Sequence, residues 1–139
     1  MKVNIVFPVL DEERRLEKGI RTTEAFLAKR RDIDAVITIV DNGSTDRTPD
    51  IIKELADVYS NIEYITLGER GFGLAFREAA KRNRCDIIGY VDVDLSTDIH
   101  YLSKVMKAFE KYDDISVIKG NRLSGKSKVN GRKPLRNIT

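Results

Sequence analysis

Five short apolar runs, at residues 3–7, 35–40, 62–67, 87–91 and 115–118, alternate with four stretches whose apolar residues recur at helical spacing. Strand and helix in strict alternation predict an open, largely parallel, Rossmann-like α/β sheet with helices on both faces. The first helix is expected to run to about residue 31 on a stripe of Leu16, Ile20, Thr23 and Leu27. Ile52, Leu55 and Tyr59 mark the second, Leu74, Ala75 and Ala79 the third, and Leu102, Val105, Met106 and Phe109 the fourth. Pro8 should stop the first strand and deliver Asp11, Glu12 and Glu13 to the opening of a helix, where acidic residues complement the dipole. Thr48 before Pro49 reads as an N-cap with proline at the first helical position, and Ser96 or Thr97 as the cap of the fourth helix. The run 87–91, β-branched and aromatic, is expected to be a strand covered on both faces.

A parallel sheet binds ligands beyond the carboxyl ends of its strands, so the strand-to-helix junctions are where chemistry is expected. The junction after the fourth run carries Asp92 and Asp94. In extended backbone the two carboxylates would point the same way about 7 Å apart. Their repulsion is relieved by a hard cation, Mg²⁺ or Mn²⁺, which would bring a phosphate with it. Asp is equally common as a plain turn former at strand ends. The other junctions are Pro8, Val9 and Glu12, the polar loop Asp41-Asn-Gly-Ser-Thr-Asp46, and Gly71-Phe-Gly73 at a helix entry. The glycines let a backbone approach a ligand, but Phe76 stands where the dinucleotide fingerprint needs a third small residue. His100 reads as an exposed structural residue.

With 139 residues the chain is one domain. No apolar run approaches the roughly 20 residues of a membrane span, and residues 1–7 read as a strand rather than a signal peptide. The single Cys85 excludes an internal disulfide, reads as a small structural residue and suits a reducing cytoplasm. Charge is uneven. Residues 119–139 hold seven basic and no acidic residues, leaving residues 1–118 with 18 basic against 22 acidic. The expected division is therefore an α/β unit over 1–118 and a basic segment over 119–139 that draws anions, with a membrane surface as one possible partner.

Taken together, the motifs resemble those of family 2 glycosyltransferases of the GT-A fold, in the dolichyl-phosphate mannose or glucose synthase branch. Pro8-Val-Leu-Asp-Glu12 resembles that family's Pro-x-Tyr-Asn-Glu, and Val40-Asp-Asn-Gly-Ser-Thr-Asp46 its Val-Asp-Asp-Gly-Ser-x-Asp. Gly71-Phe-Gly73 is similar to its Gly-x-Gly, Val91-Asp-Val-Asp-Leu-Ser96 to its Met-Asp-Ala-Asp-Leu-Ser, and Gly120-Asn-Arg122 to its Gly-Ser-Arg. The resemblance implies that Pro8, Val9, Glu12, Asp41 and Gly71 line the nucleotide pocket. It implies that Asp92 and Asp94 hold Mg²⁺ or Mn²⁺ and the diphosphate, and that Arg122 and Arg136 grip an acceptor phosphate. Leu10 in place of Tyr and Asn42 in place of Asp leave UDP versus GDP open.

The implied reaction is metal-dependent transfer of a hexose, with inversion, from a nucleoside-diphosphate sugar to a polyprenyl phosphate. Asp94, Arg122 and Arg136 would be the catalytic residues. An anionic acceptor needs no strong general base, and guanidinium suits its phosphate. No nucleic-acid partner is expected, and the place of action is the cytoplasm or the cytoplasmic face of a membrane. Family members continue into further acceptor-side structure, so this chain is expected to be the front part, binding donor but transferring poorly, with residues 123–133 mobile. The alternatives are a nucleotide and Mg²⁺ binding module without transfer, a haloacid-dehalogenase-like phosphatase, which wants Asp-x-Asp on its first strand, and a receiver-like domain.

Overall fold

Strand β1 (Lys2–Val9) is one of the two inner strands of the sheet. In this computed structural model, which describes residues 1–121, it pairs in parallel with β2 (Asp34–Asp41) on one side and β4 (Ile87–Tyr90) on the other. β3 (Ile62–Thr66) pairs in parallel with β2, giving the order β3-β2-β1-β4. The helices are α1 (Leu16–Ala28), α2 (Thr48–Val58), α3 (Phe72–Arg82) and α4 (Leu102–Lys111), the last preceded by a 3-10 turn at Ile99–Tyr101. Because all four strands are parallel, their carboxyl ends share one edge.

Alternation along β1 and β2 divides the core between the two faces. Val3, Ile5, Phe7, Val9, Ile37 and Ile39 pack with Leu16 and Ile20 of α1, Ile52 and Leu55 of α2 and Met106 of α4. Val6, Val40 and Ile65 pack on the other face with Ala75 and Ala79 of α3. Each fully buried aliphatic or Phe side chain is worth about 1.5–3 kcal/mol. The α3 face also carries a polar chain, in which Thr38 Oγ1 donates to Asn4 Oδ1 at 2.8 Å and Asn4 Nδ2 to Asn83 Oδ1 at 3.2 Å.

Several expectations change. Pro8 does not stop β1 but lies within it, opposite Val40. Even-numbered residues of β1 turn their backbone toward β4, whose ladder ends at Val6 and Tyr90, so the missing N–H of Pro8 removes no ladder bond. β4 is the outermost strand on its side among the described residues, and Tyr90 is 52% exposed, so it is not covered on both faces. Residues 115–118 form no strand, and Val117 is 81% exposed. A β-branched run becomes a strand only by pairing, and among the described residues this one has no ladder partner. Helix α1 starts at Leu16, after the acidic residues, and has only Glu17 in its first turn. Of the fourth helix's expected inward residues, Met106 alone is buried, while Leu102, Val105 and Phe109 are half-buried. Neither Ser96 nor Thr97 is its cap; Asp98 accepts the His100 N–H at the 3-10 turn that leads into it.

Candidate functional site

The loops after β1 and β2 are laced together by reciprocal hydrogen bonds. Three successive backbone N–H groups, of Asp11, Glu12 and Glu13, donate to Ser44 Oγ (2.9 Å), Thr48 Oγ1 (2.8 Å) and Asp46 Oδ2 (3.1 Å). In return the N–H groups of Thr45 and Arg47 donate to Asp11 Oδ1 (2.7 Å) and Glu13 Oε2 (3.2 Å). This explains why the first helix starts late: residues 11–13 satisfy their N–H groups across the gap instead of in a helix. It also corrects the expected cap, because the buried Thr48 hydroxyl accepts from Glu12 while Asp46 Oδ1 accepts the Thr48 N–H at 2.9 Å. Asp11 takes a positive φ of 52°, a conformation in which Asp is among the better tolerated residues. Partial burial works to raise the Asp46 carboxyl, but hydrogen bonds from Thr48 and Glu13 outweigh it and hold it below the ordinary range.

Asp41 is the last residue of β2 and is 2% exposed, with Oδ1 accepting the Ser44 N–H at 2.9 Å. Its neighbour Asn42 joins three junctions: its N–H donates to Val9 O at 2.9 Å, and its Oδ1 accepts the Gly71 N–H at 3.4 Å. Val9 itself is in the core. Glu12 is one of the residues, with Asp11, Glu13, Arg14, Arg15 and Asp46, that line a cleft of about 410 Å³. Arg15 holds its carboxylate, with Nη2 donating to Oε1 at 3.0 Å. Arg15 Nε is 2.7 Å from the buried Oε2, which makes an ion pair with it but accepts no hydrogen bond.

The acidic junction differs from the extended geometry expected of it. After Val91, whose N–H donates to Val6 O, the chain turns at once, and the Leu95 N–H donates to Asp92 O at 3.0 Å. Leu95 has φ 51°. Asp92 is half-buried, Asp94 is exposed with Oδ1 accepting the Ser96 N–H at 2.9 Å, and Val93 between them is buried. The ladder with β1 ends at Val6 and Tyr90, so the acidic turn begins at the carboxyl end of β4. Among the described residues no three Asp, Glu, His or Cys side chains converge as a cation cage. Two carboxylates are the donor set with which Mg²⁺ is commonly held, the remaining positions going to water and substrate phosphates, so Asp92 and Asp94 fit a cation that arrives with a diphosphate.

Pro8 and Val9 at the end of β1, Asp41 at the end of β2, and Glu12 and Gly71 in the segments beyond thus lie along one edge of the sheet, which the turn carrying Asp92 and Asp94 shares. Arg122 and Arg136 lie outside the described residues. His100 is exposed, as expected, with Nδ1 2.7 Å from Asp98 Oδ1 and its ring edge-on to Phe26. The sequence marks Thr48 only as a helix cap and Asn42 and Asp46 only as loop residues, not as bonds between the loops. The run of Asp, Asn, Ser and Thr in the loop was the one available signal.

The sequence model of glycosyl transferase family 2 matches residues 4–138. A dolichyl-phosphate beta-glucosyltransferase of Trichomonas vaginalis is 31% identical over 137 residues, covering 91% of this chain and 42% of that protein. An undecaprenyl-phosphate 4-deoxy-4-formamido-L-arabinose transferase of Pseudomonas fluorescens is 30% identical over 123 residues, covering 86% of this chain and 36% of that protein. The chain therefore belongs to glycosyl transferase family 2, and it spans less than half the length of these relatives. Among solved structures, the Pyrobaculum calidifontis mannosyltransferase in complex with GDP-Man and Mn²⁺ superposes with a TM-score of 0.59 at 23% identity, covering 67% of this chain and 27% of its own. Staphylococcus aureus TarS in complex with UDP-GlcNAc superposes with a TM-score of 0.64 at 19% identity, covering 81% and 32%. The fold is accordingly GT-A.

Proposed function

We propose that the chain is the donor-binding part of an enzyme that transfers a hexose from a nucleoside-diphosphate sugar to a polyprenyl phosphate, with inversion. The observation that carries this is the single edge on which the laced loops, Gly71 and the Asp92 and Asp94 turn lie together. Pro8, Glu12 and Asp41 would bind the nucleoside, with the backbone of Val9 and Gly71 held in place through Asn42. Asp92 and Asp94 would hold Mg²⁺ or Mn²⁺. When bound, the cation would neutralise the charge that grows on the departing diphosphate. Relatives named for dolichyl and undecaprenyl phosphate support a polyprenyl phosphate acceptor. Such an acceptor is already an anionic nucleophile, so the site needs no strong base.

Residues 1–118 would be the donor unit and 119–139 the start of the acceptor side. There Arg122 and Arg136 would grip the acceptor phosphate, and the basic segment would face the cytoplasmic surface of a membrane. No helix among the described residues is long and apolar enough to cross a membrane. The test is calorimetry with UDP and GDP, with and without Mn²⁺. Binding is expected to need the cation and to be lost in Asp92→Ala and in Asp94→Ala. Cation-independent binding, undiminished in both variants, would overturn the proposal.

A further inference from the structure

Helix α1 and the acidic turn touch without a side chain of the helix between them. A Cβ built at Gly19 would lie 2.2 Å from Val93 O, 2.9 Å from Val93 Cγ2 and 3.2 Å from Val93 C. Glycine inside a helix gives up about 1 kcal/mol relative to alanine, and Gly19 sits in the interior of α1 on its buried face. By contrast, a Cβ at the helical Gly73 would meet nothing within 4 Å.

The atom Gly19 makes room for is a backbone carbonyl, which cannot rotate aside as a side chain can. Val93 is 4% exposed and shares a core cluster with Leu16 and Ile20, so the turn is anchored from below. The Leu95 N–H to Asp92 O bond closes it from within, and the Val91 N–H to Val6 O bond ties its start to the sheet. A turn held in this way has little slack, and an added methyl group would drive turn and helix apart by about 1 Å, which a close-packed interior does not absorb without displacement.

We propose that Gly19 is a positioning residue: by letting the Val93 carbonyl seat against α1, it sets where Asp92 and Asp94 stand relative to the bound diphosphate. This rests on the donor-site reading above. Gly19 touches neither nucleotide nor cation and acts through the turn. The expected consequence of Gly19→Ala is a selective loss, because none of the bonds that lace the loops after β1 and β2 involves Gly19 or Val93.

The experiment compares the wild-type chain, Gly19→Ala, Val93→Ala and Ile33→Val. Val93→Ala loosens the same seat without altering the helix, and so serves if Gly19→Ala folds poorly. Ile33→Val trims the same core just before the start of β2, at the edge of the sheet opposite the turn. Each is titrated with the nucleoside alone and with the nucleoside diphosphate plus Mn²⁺, and amide resonances are compared. Gly19→Ala and Val93→Ala are expected to weaken Mn²⁺-diphosphate binding about tenfold or more, since misplacement by an ångström is costly. Nucleoside affinity should be unchanged in both, Ile33→Val should change neither affinity, and amide shifts in Gly19→Ala should centre on residues 92–96. Unmoved amides at 92–96, wild-type diphosphate affinity in both seat variants, or loss of nucleoside and diphosphate affinity in equal proportion would overturn the positioning role. A wild-type chain that binds no nucleoside diphosphate would instead overturn the donor-site reading on which the proposal rests.

Discussion

The two halves of the candidate site are held in place by different physics. The loops after β1 and β2 are fixed by reciprocal polar bonds between residues more than thirty positions apart, as in Glu12 N–H to Thr48 Oγ1 and Thr45 N–H to Asp11 Oδ1. The turn after β4 stands at the margin of the described sheet and is fixed by burial of Val93 against Gly19. Of its acidic side chains, the exposed Asp94 adds one local bond, accepting the Ser96 N–H at 2.9 Å. A site arranged in this way separates stability from chemistry at the acidic turn and merges them in the laced loops.

The comparison breaks most readily at Thr48. Its hydroxyl is buried and accepts from Glu12, so Thr48→Val leaves a part-buried N–H without an acceptor, a loss of about 1–3 kcal/mol in denaturant unfolding. Nucleoside affinity should fall with it. Asp41→Ala comes next, at about 1–2 kcal/mol, because the Ser44 N–H loses its acceptor. The sequence reading treats Asp41 as a loop residue with little packing; burial at the end of β2 means that stability and binding should fall together. Asp94→Ala should shift stability by less than about 0.5 kcal/mol, as at other exposed sites, while abolishing cation-dependent binding. If Asp94→Ala proves as destabilising as Thr48→Val, the contrast between the two regions fails.

The smallest effect is on the acid side. Asp46 has a folded pKa below its reference of 3.8, so its contribution to stability is present above that pH and is lost as pH falls through the lower folded value. Asp46→Asn should flatten the acid limb of melting temperature against pH. The flattening will be partial, because Asp32, drawn down to about 2 by Arg30, and Asp98, lowered by the His100 N–H, titrate over the same limb. An acid limb identical in Asp46→Asn and wild type would remove Asp46 from the lattice.

Four strands, four helices and the shared edge were legible in the sequence because each rests on local periodicity. The lattice was not, since its bonds join residues that only the fold brings together. The run 115–118 misled because β-branched composition speaks of strand tendency and not of a partner. The apolar run 87–91 implies extended backbone through Asp92 and Asp94, whereas the chain turns immediately at Val93. Gly19 was visible inside a helical stripe, but nothing local says what it faces.

Amide hydrogen exchange on the wild-type chain, alone, with nucleoside, and with nucleoside diphosphate plus Mn²⁺, tests the division most directly. The amides of Glu12, Glu13, Thr45 and Thr48 should be protected before any ligand is added and gain further protection from nucleoside alone. The amides of Leu95 and Ser96 should respond only when diphosphate and cation arrive together. Unprotected loop amides in the free chain, or a turn that responds fully to nucleoside alone, would contradict the account.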